Sequence, residues 1–304
     1  MLSRFVLAAV AALALAPAAL AQDTIVRTED VIYGRKYGLA MTMDVFAPKD
    51  KEKANGKGII WCVSGGWTSA KEWVNAGAAR PYTDRGYTVF AVVHGSQPKF
   101  TIPEVLDDMH RAVRFIKANA QKYNVDPDKL GITGGSAGGH LSLMQGCAPK
   151  DGNPKAADLV ERQSSKVAAV ACFYPPTDFL NYGKEGQIAL GGGTLKNFRP
   201  PFDFWERDKE TNKLVVIADE DRRKEIGKQI SPVYYASKAS APALIIHGDA
   251  DTLVPIQQAE LMVERLKANG VPCELAVRKG GGHGGAAFAN DSKVFADWFD
   301  KYLK

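Results

Sequence analysis

The sequence predicts an α/β fold in which a mostly parallel, doubly wound sheet of about eight strands is covered by helices on both faces. Three observations support this prediction. Short apolar runs alternate with helical patterns along the chain, which is typical of a parallel sheet. Most of the runs are apolar throughout, as expected of strands buried on both faces. The chain has 304 residues, 45% hydrophobic and 24% charged, which is an ordinary globular composition.

The strands can be placed in order along the chain. Two runs joined at Tyr37 and Gly38 are predicted to pair as a hairpin, because the second alternates between apolar and polar residues. Buried strands follow, each bounded by turn residues. The predicted strands are TEDVIYGRK, LAMTMDVFAPK, GIIWCVSGG, YTVFAVVHG, KLGIT, KVAAVACFYP, PALIIHG and CELAVRKG.

Helices are expected between these strands. Residues 103–123 carry apolar side chains every three to four positions, the spacing of an amphipathic helix. Further helices are predicted within TSAKEWVNAGAARPYTDRG, after Ser136, over IQQAELMVERLKAN and near SKVFADWFDKYLK. Residues from about 181 to 229 break the alternation with glycines, prolines, aromatics and charges. We expect this stretch to be a cap region inserted over the top of the sheet.

The aromatic side chains of the inserted stretch have two possible roles. They could line a pocket for an acyl or aryl group, or they could form a small core of the insertion itself. The residues concerned are Phe198, Phe202, Phe204 and Trp205.

The first 21 residues have the pattern of a secretory signal. Arg4 precedes a short apolar run, and Ala19 and Ala21 form an A-x-A end. The run is too short to span a bilayer, which needs about 20 apolar residues. We therefore expect cleavage after Ala21, a single catalytic domain over 22–304, a periplasmic or secreted location, and no membrane insertion after cleavage.

The formal charge of +5 is not clustered along the chain, so nucleic acid is not an expected partner. The oligomeric state is left open.

The stretch GITGGSAGGH places Ser136 among five glycines. Glycine within a regular element costs about 0.5–1 kcal/mol relative to alanine, so this composition indicates a backbone bend that other residues cannot adopt. A strand is predicted before the serine and a helix after it. Residues 134–138 match G-x-S-x-G, in which the serine is exposed on a sharp strand-to-helix turn. Ser136 is therefore the predicted nucleophile.

A serine hydroxyl needs a base to remove its proton and an acid to orient the base. The required chain order is serine, acid, histidine. His283 lies in the glycine loop KGGGHGG after the final strand and satisfies this order. The other histidines precede the serine, follow it too closely on one helix, or lie within a strand. These are His94, His110, His140 and His247.

The acid is expected in the turn HGDADTLVP, which offers Asp249 and Asp251. Either could instead cap the following helix, and the residues alone leave the choice open.

Backbone donors for the oxyanion of the transition state are also needed. One is the N–H of Ala137 at the start of a helix. The other is the N–H of Gly66 or Trp67 in the turn VSGGW. The Trp67 side chain beside this turn is the candidate substrate-binding group.

The chain resembles the α/β-hydrolase superfamily. Within it, the chain is similar to small esterases of the acetyl-esterase and bacterial feruloyl-esterase-like group, which are related to prolyl-oligopeptidase catalytic domains. The stretches VSGGW, DDMHRAVRFIKANAQKYNVDPDKLGITGGSAGGHLSLM, SPVYYASKASAPALIIHGDADTLVPIQQAELM and KGGGHG carry the resemblance. It implies Ser136 as nucleophile, Asp251 as acid and His283 as base, with no cofactor and no metal.

One turn departs from the family pattern, which usually reads H-G-G-G-W. Val63 and Ser64 stand where the histidine and the first glycine are expected. The backbone donors come from later in the turn and can survive the change. The hydrogen bonds that the family's histidine makes are not expected here.

The leading functional hypothesis is an exported serine carboxylic-ester hydrolase that forms an acyl-enzyme. The resemblance implies small-molecule or carbohydrate-linked esters, such as acetyl or feruloyl esters, as substrates. A prolyl-oligopeptidase-type peptidase is the alternative enzyme. Only about 35 residues separate the predicted cleavage site from GIIWC, too few for a four-stranded propeller blade. A non-catalytic binding protein on the same fold is the third hypothesis.

Overall fold

A computed structural model describes residues 24–304, and the predicted signal peptide lies outside the described residues. The strands are β1 (Ile25–Lys36), β2 (Leu39–Pro48), β3 (Gly58–Val63), β4 (Thr88–Val93), β5 (Leu130–Gly135), β6 (Ala169–Phe173), β7 (Trp205–Arg207), β8 (Leu214–Val216), β9 (Ala243–Gly248) and β10 (Cys273–Arg278). The helices are α1 (Ala76–Thr83), α2 (Ile102–Ala118), α3 (Ala137–Cys147), α4 (Glu220–Gln229), α5 (Gln257–Ala268) and α6 (Asp291–Tyr302).

The main sheet has eight strands in the order β1-β2-β4-β3-β5-β6-β9-β10. Strand β2 is antiparallel to both of its neighbours. The remaining strands of this sheet, β4, β3, β5, β6, β9 and β10, pair in parallel with their neighbours in that order. The predicted α/β-hydrolase fold is therefore confirmed. Parallel neighbours bring the carboxyl ends of β3, β5, β9 and β10 to one edge of the sheet, where loops can form a site.

Helices cover both faces of the sheet. On one face, α2, α3 and α5 pack through residues such as Met109, Leu141 and Met262. On the other, α1 and α6 pack through residues such as Tyr82 and Phe299. The central strands are buried along nearly their whole length. Their apolar sequences follow from this two-sided burial.

Residues 181–229, the predicted insertion, lie between β6 and β9 and contain more regular structure than the sequence indicated. They hold α4 and the small antiparallel sheet of β7 and β8. Strands of three residues are too short to show a period, and α4 has one strongly apolar residue, Ile226, among mostly charged and polar neighbours. The side chains of Phe202 and Phe204 are buried in the main core rather than in a separate one.

Two further features of residues 24–304 bear on the sequence predictions. Within that range, no helix combines the length and apolarity needed to cross a membrane. All four cysteines have free thiols, and three of them are buried.

Candidate active site

Ser136 sits on a strained turn between β5 and α3. Its φ of 54° and ψ of −120° lie outside the regions that residues other than glycine normally adopt. A Cβ on Gly134 would lie 2.6 Å from the carbonyl carbon and oxygen of Gly138, and a Cβ on Gly138 would lie 2.8 Å from the carbonyl oxygen of Cys62. The glycines flanking Ser136 are therefore required because backbone passes against backbone at this corner.

Three side chains from separate loops meet at this corner. The His283 Nε2 atom lies 2.8 Å from Ser136 Oγ, and His283 Nδ1 lies 2.7 Å from Asp251 Oδ2. Because a carboxylate only accepts, Nδ1 carries the proton and donates to Asp251. The Nε2 atom of a neutral ring then accepts from the Ser136 hydroxyl. This arrangement is the one in which a histidine can remove the serine proton.

Asp251 is held in the ionised form. Burial by itself raises the pKa of this carboxyl. However, hydrogen bonds from His247, His283 and the N–H of Val254 lower the pKa well below its usual range. The Oδ1 atom accepts from the N–H groups of Leu253 and Val254, each at 2.9 Å. A carboxylate fixed in this way can orient the imidazole and stabilise it when it becomes charged.

The two candidate acids of the turn after β9 have different surroundings. Asp249 is exposed, and its Oδ1 atom accepts from the N–H of Gly280 at 2.6 Å. This hydrogen bond therefore joins the loop after β9 to the loop after β10. The Asp251 side chain is fully buried, and its Oδ2 atom accepts a hydrogen bond from His283 Nδ1. Of the two aspartates, Asp251 is the one whose carboxylate contacts the His283 ring.

Gly66 and Trp67 form a tight turn beside Ser136. Both have positive φ, 55° and 59°, and Gly65 and Thr68 exchange two backbone hydrogen bonds of 2.9 Å. These are the features of a type I′ turn. Among residues 24–304, no backbone carbonyl accepts from the N–H of Gly66 or Trp67. Ala137 is the first residue of α3, where backbone N–H groups lack intrahelical acceptors.

A cavity of about 400 Å³ opens next to the serine. Its lining includes Ser136, His283, and Ser64 from the turn, together with several aromatic side chains. The aromatic residues are Trp61, Trp73, Tyr174 and Phe198. The arrangement therefore combines a polar end at the serine with apolar walls, as is common in sites for small molecules.

The Trp67 side chain, the candidate substrate-binding group of the sequence analysis, does not line this cavity. Its indole is 2% exposed and packs against His140, Phe179 and Phe202. Trp73, which is 45% exposed, lines the cavity instead. Phe198 is the one member of the aromatic set in the insertion that lines it. A tryptophan adjacent to a glycine turn could point either way, and the turn geometry directs its ring into the core.

Sequence reasoning missed Tyr174. Its ring lies against the His283 ring, with centroids 4.5 Å apart. It directly follows β6, at the sheet edge where the other site residues lie. This position after a buried strand was the signal that could have indicated it.

The chain is similar to several known proteins. The profile of the BD-FAE family matches residues 43–266. The probable carboxylic ester hydrolase LipM of Mycobacterium tuberculosis is 30% identical over 78% of this chain and 51% of its own length. Esterase LipC of the same organism is 27% identical over 82% of this chain and 57% of its own length. The chain thus spans about half the length of these curated relatives.

A solved structure is similar over almost the whole of both chains. It is a truncated form of a carbohydrate esterase from gut microbiota, with 26% identity and a TM-score of 0.73. The similarity covers 93% of this chain and 98% of that one. Because the family profile extends from β2 to α5 and includes the serine turn and the Asp251 turn, the chain belongs to the BD-FAE family of the α/β-hydrolase superfamily.

Proposed function

We propose that this protein is a serine carboxylic-ester hydrolase. The observation that carries the proposal is the pair of hydrogen bonds that connects Ser136 through the His283 ring to Asp251. The esterases among its relatives support the same class of reaction. The family assignment gives a reason to expect ester chemistry, and the three side chains give a way to perform it.

The proposed reaction has two halves. His283 Nε2 takes the Ser136 proton as Oγ attacks the ester carbonyl, and the tetrahedral intermediate collapses when the ring returns the proton to the leaving alcohol. Water then attacks the acyl-enzyme with the same base, which releases the acid and regenerates the serine. The negative oxygen of each intermediate would accept from the N–H of Ala137 and from that of Gly66 or Trp67.

The proposed substrates are esters of short acyl chains or of acetyl and feruloyl groups linked to carbohydrate. The aromatic walls of the cavity suit a small acyl or aryl group. A carbohydrate esterase among the similar structures supports a sugar-linked substrate.

Labelling with a fluorophosphonate and a substrate panel test the proposal. The wild-type protein should be labelled and should hydrolyse p-nitrophenyl acetate, whereas Ser136→Ala should do neither. Ser142→Ala is the matched control, because this serine lies on α3 but is buried and donates to the carbonyl oxygen of Gly138. It should retain labelling and activity.

The panel also separates the competing functions. It should include acetylated xylan, methyl ferulate and a prolyl p-nitroanilide. Cleavage of the anilide without cleavage of any ester would replace the esterase by a peptidase. Absence of labelling and turnover with every compound would favour a binding protein.

Export is the second part of the proposal. A signal peptide over residues 1–21 would leave a single catalytic domain, 22–304, in the periplasm or outside the cell. Amino-terminal sequencing of the protein recovered from an expressing bacterium tests this directly. A chain that begins at Gln22 in the extracytoplasmic fraction is expected, and an intact Met1 in the cytoplasm would contradict it.

A further inference from the structure

Residues 64–67, here named the oxyanion turn because they carry proposed oxyanion donors, are contacted by two buried histidines that take no part in the proposed proton transfers. His94 follows β4 and is 3% exposed, and His140 lies on α3 and is fully buried. Each ring contacts one residue of the segment 64–67 with one nitrogen and a backbone carbonyl with the other. The same pattern at both ends of the turn indicates a shared role.

His94 contacts the residue that begins the turn. Its Nδ1 atom lies 2.7 Å from the carbonyl oxygen of Gly95, and its Nε2 atom lies 2.8 Å from Ser64 Oγ. A carbonyl oxygen only accepts, so Nδ1 carries the proton. Burial lowers the pKa of His94 to about 4, so the ring is neutral near pH 7. The Ser64 hydroxyl therefore donates to Nε2.

His140 contacts the turn at its other end. Its Nε2 atom lies 2.6 Å from the carbonyl oxygen of Ile230 and so donates to it, while Nδ1 accepts from the Trp67 indole N–H at 3.2 Å. Burial lowers the pKa of this imidazole also to about 4. The contact matters because Trp67 has a positive φ of 59°, which is costly for a bulky residue. An anchored indole keeps the backbone in this conformation.

The His140 contact ties the turn to α3, which carries Ser136 at its start, and the His94 contact ties the turn to the end of β4. His140 is four residues from Ser136 on α3, and its backbone N–H donates to the Ser136 carbonyl oxygen at 2.9 Å. Ser64 lines the cavity next to the serine. The position of the turn relative to Ser136 is therefore set by side-chain hydrogen bonds as well as by its own backbone.

We propose that His94 and His140 are positioning residues, whose neutral rings accept from Ser64 and Trp67 and so hold the oxyanion turn against Ser136. The inference rests on the proposed esterase function. Oxyanion donors stabilise the tetrahedral state and interact little with the bound ester. A displacement of these donors by about 1 Å can lower the rate about a hundredfold. Loss of either acceptor should therefore lower kcat and leave KM nearly unchanged.

The test is a pair of double-mutant cycles with p-nitrophenyl acetate. Ser64→Ala and His94→Phe form one cycle, and Trp67→Phe and His140→Phe form the other. Each single variant should lose on the order of tenfold to a hundredfold in kcat, with KM within about twofold of wild type. Each double variant should be no slower than its slower single variant, because the pair acts as one unit.

A second readout separates positioning from folding. Phenylboronic acid adds the serine oxygen to boron and forms a tetrahedral adduct, so its inhibition constant should rise by about the same factor as kcat falls. His110→Phe is the matched control. His110 is also buried and neutral, and its Nδ1 atom pairs with Ser165 rather than with the turn. This variant should keep its kcat even if its Tm falls.

The outcomes are distinguishable. Variants with lower Tm but wild-type kcat and boronate affinity would overturn the positioning role. If a variant of one of the buried residues His94, Trp67 or His140 fails to fold, Ser64→Ala still tests the proposal. Additive losses within a cycle would also overturn it. A wild-type protein without labelling or turnover would instead contradict the proposed function itself.

Discussion

At the residue scale, the site depends on how one carboxylate is held. Asp251 Oδ2 is shared between His283 at 2.7 Å and His247 at 3.4 Å, while Oδ1 accepts two backbone N–H groups. His283 and the two backbone N–H groups donate to the carboxylate, so the ionised form is stabilised and the His283 proton is kept on Nδ1. In the proposed reaction, Asp251 therefore selects one tautomer of the ring that faces Ser136.

Replacement of this acid should reveal that role. In Asp251→Asn the amide can present a donor toward His283, which favours the tautomer with the proton on Nε2 and leaves Ser136 without a base. We expect kcat to fall by about 10⁴ with little change in folding, as measured by ester hydrolysis and by thermal unfolding. Asp249→Asn is the control and should stay within about twofold of wild type. Retention of more than about a tenth of wild-type kcat in Asp251→Asn would contradict the assignment.

At the element scale, the nucleophile turn is a contact between backbones. The start of α3 passes over the end of β3, so that the Cα of Gly138 faces the carbonyl oxygen of Cys62. The strand, the turn and the helix are held together by this approach. The pattern G-x-S-x-G is therefore a packing requirement as well as a conformational one.

Gly138→Ala should weaken this junction. Its Cβ would lie 2.8 Å from the Cys62 carbonyl oxygen, and neither backbone can move freely. We expect the free energy of unfolding, measured by urea denaturation, to fall by about 1–3 kcal/mol. Gly192→Ala is the matched control, since its Cβ would have no neighbour within 4 Å. Equal stability of the two variants would show that the approach is looser than described.

The insertion contributes one wall of the cavity through Phe198. A Cβ on Gly66 would lie 2.6 Å from the ring of Phe198, so the ring lies directly over the oxyanion turn. Phe198→Ala should enlarge the acyl space and raise kcat/KM for p-nitrophenyl octanoate relative to the acetate by about tenfold or more. Trp205→Ala, in β7 outside the cavity lining, should leave the ratio unchanged. An unaltered ratio in Phe198→Ala would mean that this ring does not limit the length of the acyl chain.

At the scale of the whole molecule, buried neutral histidines link stability to pH. Burial lowers the pKa of His94 and of His140 to about 4 and that of His110 to about 3. The unfolded rings titrate near 6.5. Between these values the unfolded chain binds more protons than the folded chain, so acid favours unfolding.

The free energy of unfolding should therefore fall as pH is lowered from about 6.5 toward 4, by about 1.4 kcal/mol per pH unit for each of these histidines. Urea denaturation at pH 7.5, 6.0 and 5.0 measures it. The control is His110→Gln, which should reduce the slope by about a third. A flat profile over this range would mean that these rings are charged or solvated in the folded protein.

Much of this architecture followed from local patterns. The eight strands of the main sheet were predicted because two-sided burial requires continuous apolar runs, and the turn at Ser136 because its backbone contacts require glycine. His283 followed from chain order and loop position. Asp251 needed the family resemblance, since either aspartate of its turn could cap the following helix. The strands β7 and β8 were missed because three residues carry no period.

The sequence by itself determined which elements form and which residue types stand at the carboxyl edge of the sheet, because periodicity and backbone conformation are local properties. Only the tertiary structure decided where long side chains point. Trp67 turns into the core and Phe198 covers Gly66, and His94 reaches Ser64 from the end of another strand. Such contacts join residues that are distant along the chain, and they form only when packing brings their elements together.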